Sequence, residues 1–299
     1  MAARISQGFS RIGLNRSMVV RRLIRLGHPR LRELRARAID GVQTTDRLSG
    51  VAVRWLERGR LTVPQGHGAG LRFDMRYLPI SHAHLGSIAF GNLESSVQEA
   101  MRRHLGEGGV FYDVGANLGF FSLLAARFAG HDPGWVYAFE AAPQNASAIR
   151  RNAQLNGVEN ITVIDKAVSS KAGRGQLQVV DDQSWSKLAE YGRHPNTEEV
   201  IEVELVALDD LVLGGEIRPP TVVKIDVEGA ELAVIEGMRE TIEKHQPAII
   251  CELHDTHRPF ATAMRAHRYR LINLEGTIPV EEQGASAHAL ALPALDEGD

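Results

Sequence analysis

Residues 110–130, VFYDVGANLGFFSLLAARFAG, constrain this chain more than any other stretch. They open on the strand formers Val110, Phe111 and Tyr112. They turn through Asp113, Val114, Gly115, Ala116, Asn117, Leu118 and Gly119. They then place Phe121, Leu124, Ala125 and Phe128 at helical spacing. A strand, a glycine-bearing turn and a buried helix form the first unit of a nucleotide-binding α/β sheet. Gly115 and Gly119 let the backbone approach a ligand with no β-carbon in the way. Asn117 tolerates left-handed dihedrals better than most residues. Asp113 stands at the carboxyl end of the strand, where open parallel sheets bind their ligands.

The turn separates two cofactor classes. A dinucleotide site wants G-x-G-x-x-G, so that backbone N–H groups meet a pyrophosphate. Here the third position is Asn117, which gives D-x-G-x-N-x-G. S-Adenosylmethionine carries no phosphate, and a carboxylate beside the turn suits its ammonium group better than it suits a pyrophosphate. A tight turn without any ligand is the plain alternative. The next strand, residues 135–140 (WVYAFE), ends on Glu140. An acid about twenty residues past the turn commonly receives the two ribose hydroxyls of an adenosine cofactor. The third strand, ITVI, runs into Asp165. This carboxylate either accepts from an adenine amino group or begins a turn.

Further along, a strand from residue 221 leads into KIDVEGAE. Period-two alternation sets Lys224 and Asp226 on one side, and Asp226 and Glu228 fall at the same rim as Asp113. Two acids there can orient a substrate hydroxyl, take its proton or hold a divalent ion. The competing reading is an Asp that caps the next helix beside a structural Lys–Asp pair. That helix is expected to bury Leu232, Ile235, Met238 and Ile242. The buried strand AIICEL then delivers Glu252, His254, Asp255 and His257 to the rim. His254 is the natural general base, because an imidazole titrates near neutral pH. His254 and His257 are spaced for a metal on paper, but no third partner is evident. A divalent ion is therefore not indicated, and no metal ligands are assigned.

Strands are also expected at residues 176–180 and 200–206. The polar stretch between them, with Trp185 and Tyr191, reads as a lid or substrate loop or as a decorative insertion. Alternating strands and helices of this number imply one doubly wound sheet.

Composition adds an asymmetry. The net charge is −3, yet residues 1–60 hold fourteen Arg and no Lys against four acids, so that segment carries +10. Within it, residues 17–26 (SMVVRRLIRL) form an apolar stripe with Arg21, Arg22 and Arg25 largely off it. An amphipathic helix at an anionic membrane, a transit peptide and a helix packed on its own domain all fit. One cysteine, Cys251, excludes an intramolecular disulfide. No apolar run nears the roughly twenty residues that span a bilayer. Cytoplasmic residence, with peripheral membrane contact through residues 1–60, is the expectation. Residues 61–70, LTVPQGHGAG, read as a connector.

Three segments together resemble the FkbM-type methyltransferases, a class I S-adenosylmethionine-dependent group: FYDVGANLGFFSLLAA, VYAFEAAPQN and VVKIDVEGAELAVIEGM. AFGNLES upstream and CELH downstream are weaker echoes. The likeness covers roughly residues 70–293. It leaves residues 1–69 as a basic helical extension with its connector and residues 294–299 as an acidic tail. The resemblance implies a Rossmann-like, mostly parallel seven-stranded sheet with an antiparallel last strand. It implies methyl transfer to a hydroxyl oxygen of a sugar, glycolipid or natural product. It implies cofactor contacts at Asp113, Gly115, Asn117, Gly119 and Glu140, and more weakly at Asp165 and Glu94. The expected partner is a small-molecule or glycan acceptor, not a nucleic acid; the sequence carries no signal for oligomeric state. An NAD-linked oxidoreductase is disfavoured by Asn117 and by the lack of a Tyr-x-x-x-Lys pair. A non-catalytic scaffold is disfavoured by intact Gly115, Gly119, Glu140 and Asp226.

Overall fold

The computed structural model describes residues 59–74, 87–88, 91–180, 186–192, 197–283 and 287–294. The amphipathic stretch at 17–26, Trp185 and the acidic tail at 296–299 lie outside the described residues. The chain divides into two compact units, one comprising residues 1–76 and 81–93, the other residues 77–80 and 94–299. In the first, β1 (Arg60–Thr62) and β2 (Arg72–Asp74) pair antiparallel, Leu61 opposite Phe73. The stretch read as a connector is thus the end of one strand and the turn of a hairpin.

The second unit begins with α1 (Ser95–Leu105) and β3 (Val110–Val114). It continues with α2 (Phe120–Ala129), β4 (Trp135–Phe139), α3 (Pro143–Asn156) and β5 (Ile161–Ile164). Four strands follow: β6 (Ala167–Val168), β7 (Gly173–Val180), β8 (Lys187–Leu188) and β9 (Thr197–Val206). Then come α4 (Leu208–Leu213), β10 (Val222–Ile225), α5 (Glu231–Glu236) and α6 (Arg239–His245). The unit ends with β11 (Ala248–Leu253), α7 (His257–Ala266), β12 (Tyr269–Asn273) and β13 (Ala287–Pro293).

The main sheet has seven strands in the order β12-β13-β11-β10-β3-β4-β5. β5, β4, β3, β10 and β11 run parallel, and β13 lies antiparallel between β11 and β12. This is a Rossmann-like, doubly wound sheet closed by an antiparallel last strand. Helices cover both faces, so the central strands β3 and β10 are buried on both sides. One face carries Tyr112, Val114, Val223, Ile225, Ile249 and Cys251 into a core shared with Leu208, Val234, Met238 and Phe260. The other packs Ala138 against Ile149 of α3 and turns Asp113 toward Ser122 of α2.

Two expectations at the element level change. β7 and β9 are strands, but they pair with each other in a separate four-stranded sheet of order β6-β9-β7-β8. The helix after β10 is two short ones, broken at Gly237. A Cβ there would stand 2.1 Å from the Ser169 carbonyl oxygen, so only glycine fits where the small sheet approaches. The Asp209 carboxylate caps the second of them, accepting from the N–H of Glu240 and Thr241.

Candidate active site

The β3–α2 turn is held by its own backbone. The N–H groups of Gly115 and Ala116 both donate to the Phe139 carbonyl, and that of Gly119 donates to Ala116. The N–H of Asn117 donates to Glu140 Oε2 at 2.8 Å. Gly115 has φ +81°, and a Cβ would lie 1.9 Å from the Asp226 carbonyl oxygen. No other residue fits there without displacing the β10 end. Asn117 takes φ +50°, the left-handed region its side chain tolerates.

Glu140 closes β4 and is 9% exposed. Its second oxygen accepts from Ala142 N–H at 2.8 Å. Burial pushes this carboxyl up to about 7, against the pull of the two N–H groups. Each oxygen retains a lone pair for a hydroxyl donor.

An open cleft runs past these groups. Gly115, Asn117 and Glu140 line it together with Asp226, Val227 and Glu228. Lys166, Leu177 and Ser186 to Leu188 close it from the small sheet, so the described part of the polar stretch between β7 and β9 contributes to the cleft.

The sheet interior beside the cleft is charged. Lys224 is 2% exposed and its Nζ lies 2.9 Å from Asp226 Oδ2. The same ammonium stands 4.7 Å above the Phe121 ring and in register with Asp113 on the neighbouring strand. Asp226, Glu94 and Asp113 outweigh burial and hold it firmly protonated. A buried ammonium survives only with such partners. Asp113 accepts from Ser122 Oγ, and its carboxyl is pushed up by burial. It is absent from the cleft lining and meets Lys224 and Ser122 of α2. Asp165 is also absent from the lining. Arg150 binds both of its oxygens, at 2.6 and 3.0 Å, and occupies the carboxylate expected to face adenine.

At the β11 end, His254 Nδ1 lies 2.8 Å from Oε1 of the fully buried Glu231. Glu231 also accepts from Gly229 N–H and Thr256 Oγ1. His254 Nε2 stands 3.6 Å from both Glu228 and Glu252. Burial disfavours its charge, but these carboxylates win and push it up to about 10. These carboxylates favour the charged imidazolium, which works against the expected role of a neutral base. Glu228, at φ +50°, is pushed up by burial to about 7. Asp226 is raised by burial as well. His257 turns inward, 6% exposed, and takes no part.

Glu94 sits before α1 at φ +43°, away from the cleft lining. It joins Glu252 and His288, a histidine that sequence reasoning missed. His288 lies one antiparallel rung from Glu252 and stands alone among apolar residues of β13, a pattern that carries no signal.

With this geometry in view, the family model for the Methyltransferase FkbM domain matches residues 113–279, more than half of the chain. The chain belongs to the FkbM methyltransferase-domain family. The match begins at Asp113 and covers the glycine turn, Glu140, Asp226, Glu228 and His254 of this FkbM domain. The hexuronic acid methyltransferase AglP of Haloferax volcanii is 28% identical across 54% of this chain. The FkbM-domain chain spans 62% of the length of AglP. The 31-O-demethyl-FK506 methyltransferase FkbM of Streptomyces tacrolimicus is 29% identical across 59% of this chain and 78% of that protein. A crystal structure of methyltransferase FkbM from Methylobacillus flagellatus aligns with TM-score 0.43 at 15% identity, covering 70% of this chain and 53% of that one. No helix among the described residues is long and apolar enough to cross a membrane.

Proposed function

We propose that this FkbM-domain chain transfers a methyl group from S-adenosylmethionine to a hydroxyl of a sugar, glycolipid or natural product. One observation carries the reading. The glycine turn, Glu140 and the Asp226–Glu228 pair line a single cleft, while the turn's N–H groups at 115, 116, 117 and 119 are all consumed by protein acceptors. A pyrophosphate needs those donors. S-Adenosylmethionine has no phosphate to fill, and its ribose diol, ammonium and sulfonium call for acceptors; Glu140 offers them to the ribose. The same observation weighs against an NAD-linked oxidoreductase.

When bound, S-adenosylmethionine supplies a methyl group on a sulfonium that departs as a neutral thioether. The chain's tasks are then positioning and proton removal. Glu140 holds the ribose end. Asp226 and Glu228, in the same cleft, orient the acceptor hydroxyl and take its proton. The acceptor oxygen must stand about 3 Å from the methyl carbon, opposite the sulfur. His254, fixed through Glu231, supplies a positive charge beside Glu228 that favours its ionised, basic form.

The hexuronic acid methyltransferase AglP and the 31-O-demethyl-FK506 methyltransferase FkbM support a hydroxylated small molecule or glycan as acceptor. The +10 charge of residues 1–60 supports contact with an anionic membrane where a lipid-linked glycan is made. Incubation of the purified chain with methyl-labelled donor and a panel of uronic-acid glycans, glycolipids and polyketides tests the reading. Label should appear as a methyl ether on one acceptor class. Label transfer to no hydroxyl acceptor while the donor binds defeats the proposed acceptor chemistry. Liposome flotation with and without residues 1–60 tests the membrane contact, and equal behaviour of both chains defeats it.

A further inference from the structure

Glu94, Glu252 and His288 form a cluster that the proposed transfer does not use. Their ligand-type atoms lie within 4.8 Å of one another. His288 is 9% exposed, and its Nε2 is buried with no hydrogen-bond partner. Glu94 Oε2 is buried and lacks one too. These two atoms stand 3.1 Å apart, within ion-pair distance. Glu252 Oε2 lies 3.5 Å from the same nitrogen.

The other ring nitrogen is fixed from behind. His288 Nδ1 pairs with Glu275 Oε1, and the His288 backbone N–H donates to Glu275 Oε2 at 3.3 Å. A carboxylate behind a histidine, with the far nitrogen aimed at two more carboxylates, is how proteins orient an imidazole toward a cation. Ligands about 2.0–2.2 Å from a central ion sit about 3 to 3.5 Å from one another, which the two separations from His288 Nε2 match. The surroundings also want positive charge. Glu94, Asp226, Glu228, Glu231, Glu252 and Glu275 face one lysine, Lys224, and two histidines.

We infer that Glu94, Glu252 and His288 bind one divalent cation, with Glu275 as the positioning residue behind His288. One imidazole nitrogen with two carboxylate oxygens suits manganese, iron or zinc better than calcium or magnesium. Glu252 links this site to the cleft side, because its other oxygen, Oε1, faces His254 at 3.6 Å. The ion would hold Glu252 in place beside His254.

The inference is read by metal binding alone, so it stands or falls apart from methyl transfer. Full-length chain is treated with chelator, dialysed, and titrated calorimetrically with Mn²⁺ and Zn²⁺, with Ca²⁺ for comparison. One Mn²⁺ or Zn²⁺ per chain should bind, more tightly than Ca²⁺. H288A should lose that binding, and E275Q should weaken it roughly 10- to 100-fold, with circular dichroism showing both folded. If H288A does not fold, E275Q decides. Three outcomes overturn the assignment: no ion bound by the folded wild type, unchanged affinity in folded H288A or, where that variant does not fold, in E275Q, or loss of binding in D226N with retention in H288A.

Discussion

The backbone N–H of Asn117 donates to Glu140 Oε2 at 2.8 Å, tying the turn after the first core strand to the end of the second. Glu140 is thereby aimed along the cleft with lone pairs to spare. E140A should weaken S-adenosylmethionine binding about 10- to 100-fold, the worth of roughly 1.5–3 kcal/mol for hydrogen bonds to a charged group. Calorimetric titration of wild type and variant measures it.

The same carboxyl sets a pH dependence. Its folded value is about 7 against 4.5 for an unperturbed Glu. The folded chain thus binds this proton more tightly than the unfolded chain does. Stability from this group is lost as pH rises between about 4.5 and about 7. Donor affinity should move the opposite way and rise through about pH 7, because only the ionised form accepts from both ribose hydroxyls. E140Q should flatten both trends. Thermal unfolding and titration across pH 5–8 provide the comparison.

Gly115 and Gly157 make a paired test of backbone space. Both have positive φ, but a Cβ meets the Asp226 carbonyl at 1.9 Å in the first case and nothing within 4 Å in the second. G157A should cost about 1 kcal/mol, the left-handed penalty alone. G115A should cost more, roughly 2–4 kcal/mol, because β10 must shift as well. It should also abolish donor binding, whereas G157A should leave it intact. Melting temperatures and donor titration distinguish them.

Much of this frame was legible locally. Gly115, Asn117 and Glu140 announce themselves by spacing, and each lies where the period-two and helical patterns put it. The antiparallel β13 came from family resemblance, since nothing in AHALALP says where it inserts. What the sequence hid is non-local. The close approach of Ser169 to Gly237 joins residues far apart in the chain. Asp113 turns from the cleft because Lys224 and Ser122 sit on its side of the sheet. Asp165 is taken by Arg150 from α3. His288 meets Glu94 only after β13 is threaded between β11 and β12.

Lys224 holds the acidic interior together. K224M removes the ammonium that faces Asp226, Asp113 and Glu94 and leaves buried carboxylates uncompensated. A loss of about 3–5 kcal/mol is expected, read by chemical denaturation. D226N, in contrast, should leave donor affinity within about twofold and lower turnover by roughly 10²–10⁴, the usual share of a general base. Unchanged turnover in D226N would remove Asp226 from the proton transfer.

The most direct measurement is calorimetric titration of the full chain with S-adenosylmethionine and, separately, with NAD. Binding of one S-adenosylmethionine per chain, lost in G115A and weakened in E140A, with no heat from NAD, is the expected result. Binding of NAD with none of the methyl donor would contradict the account at its root.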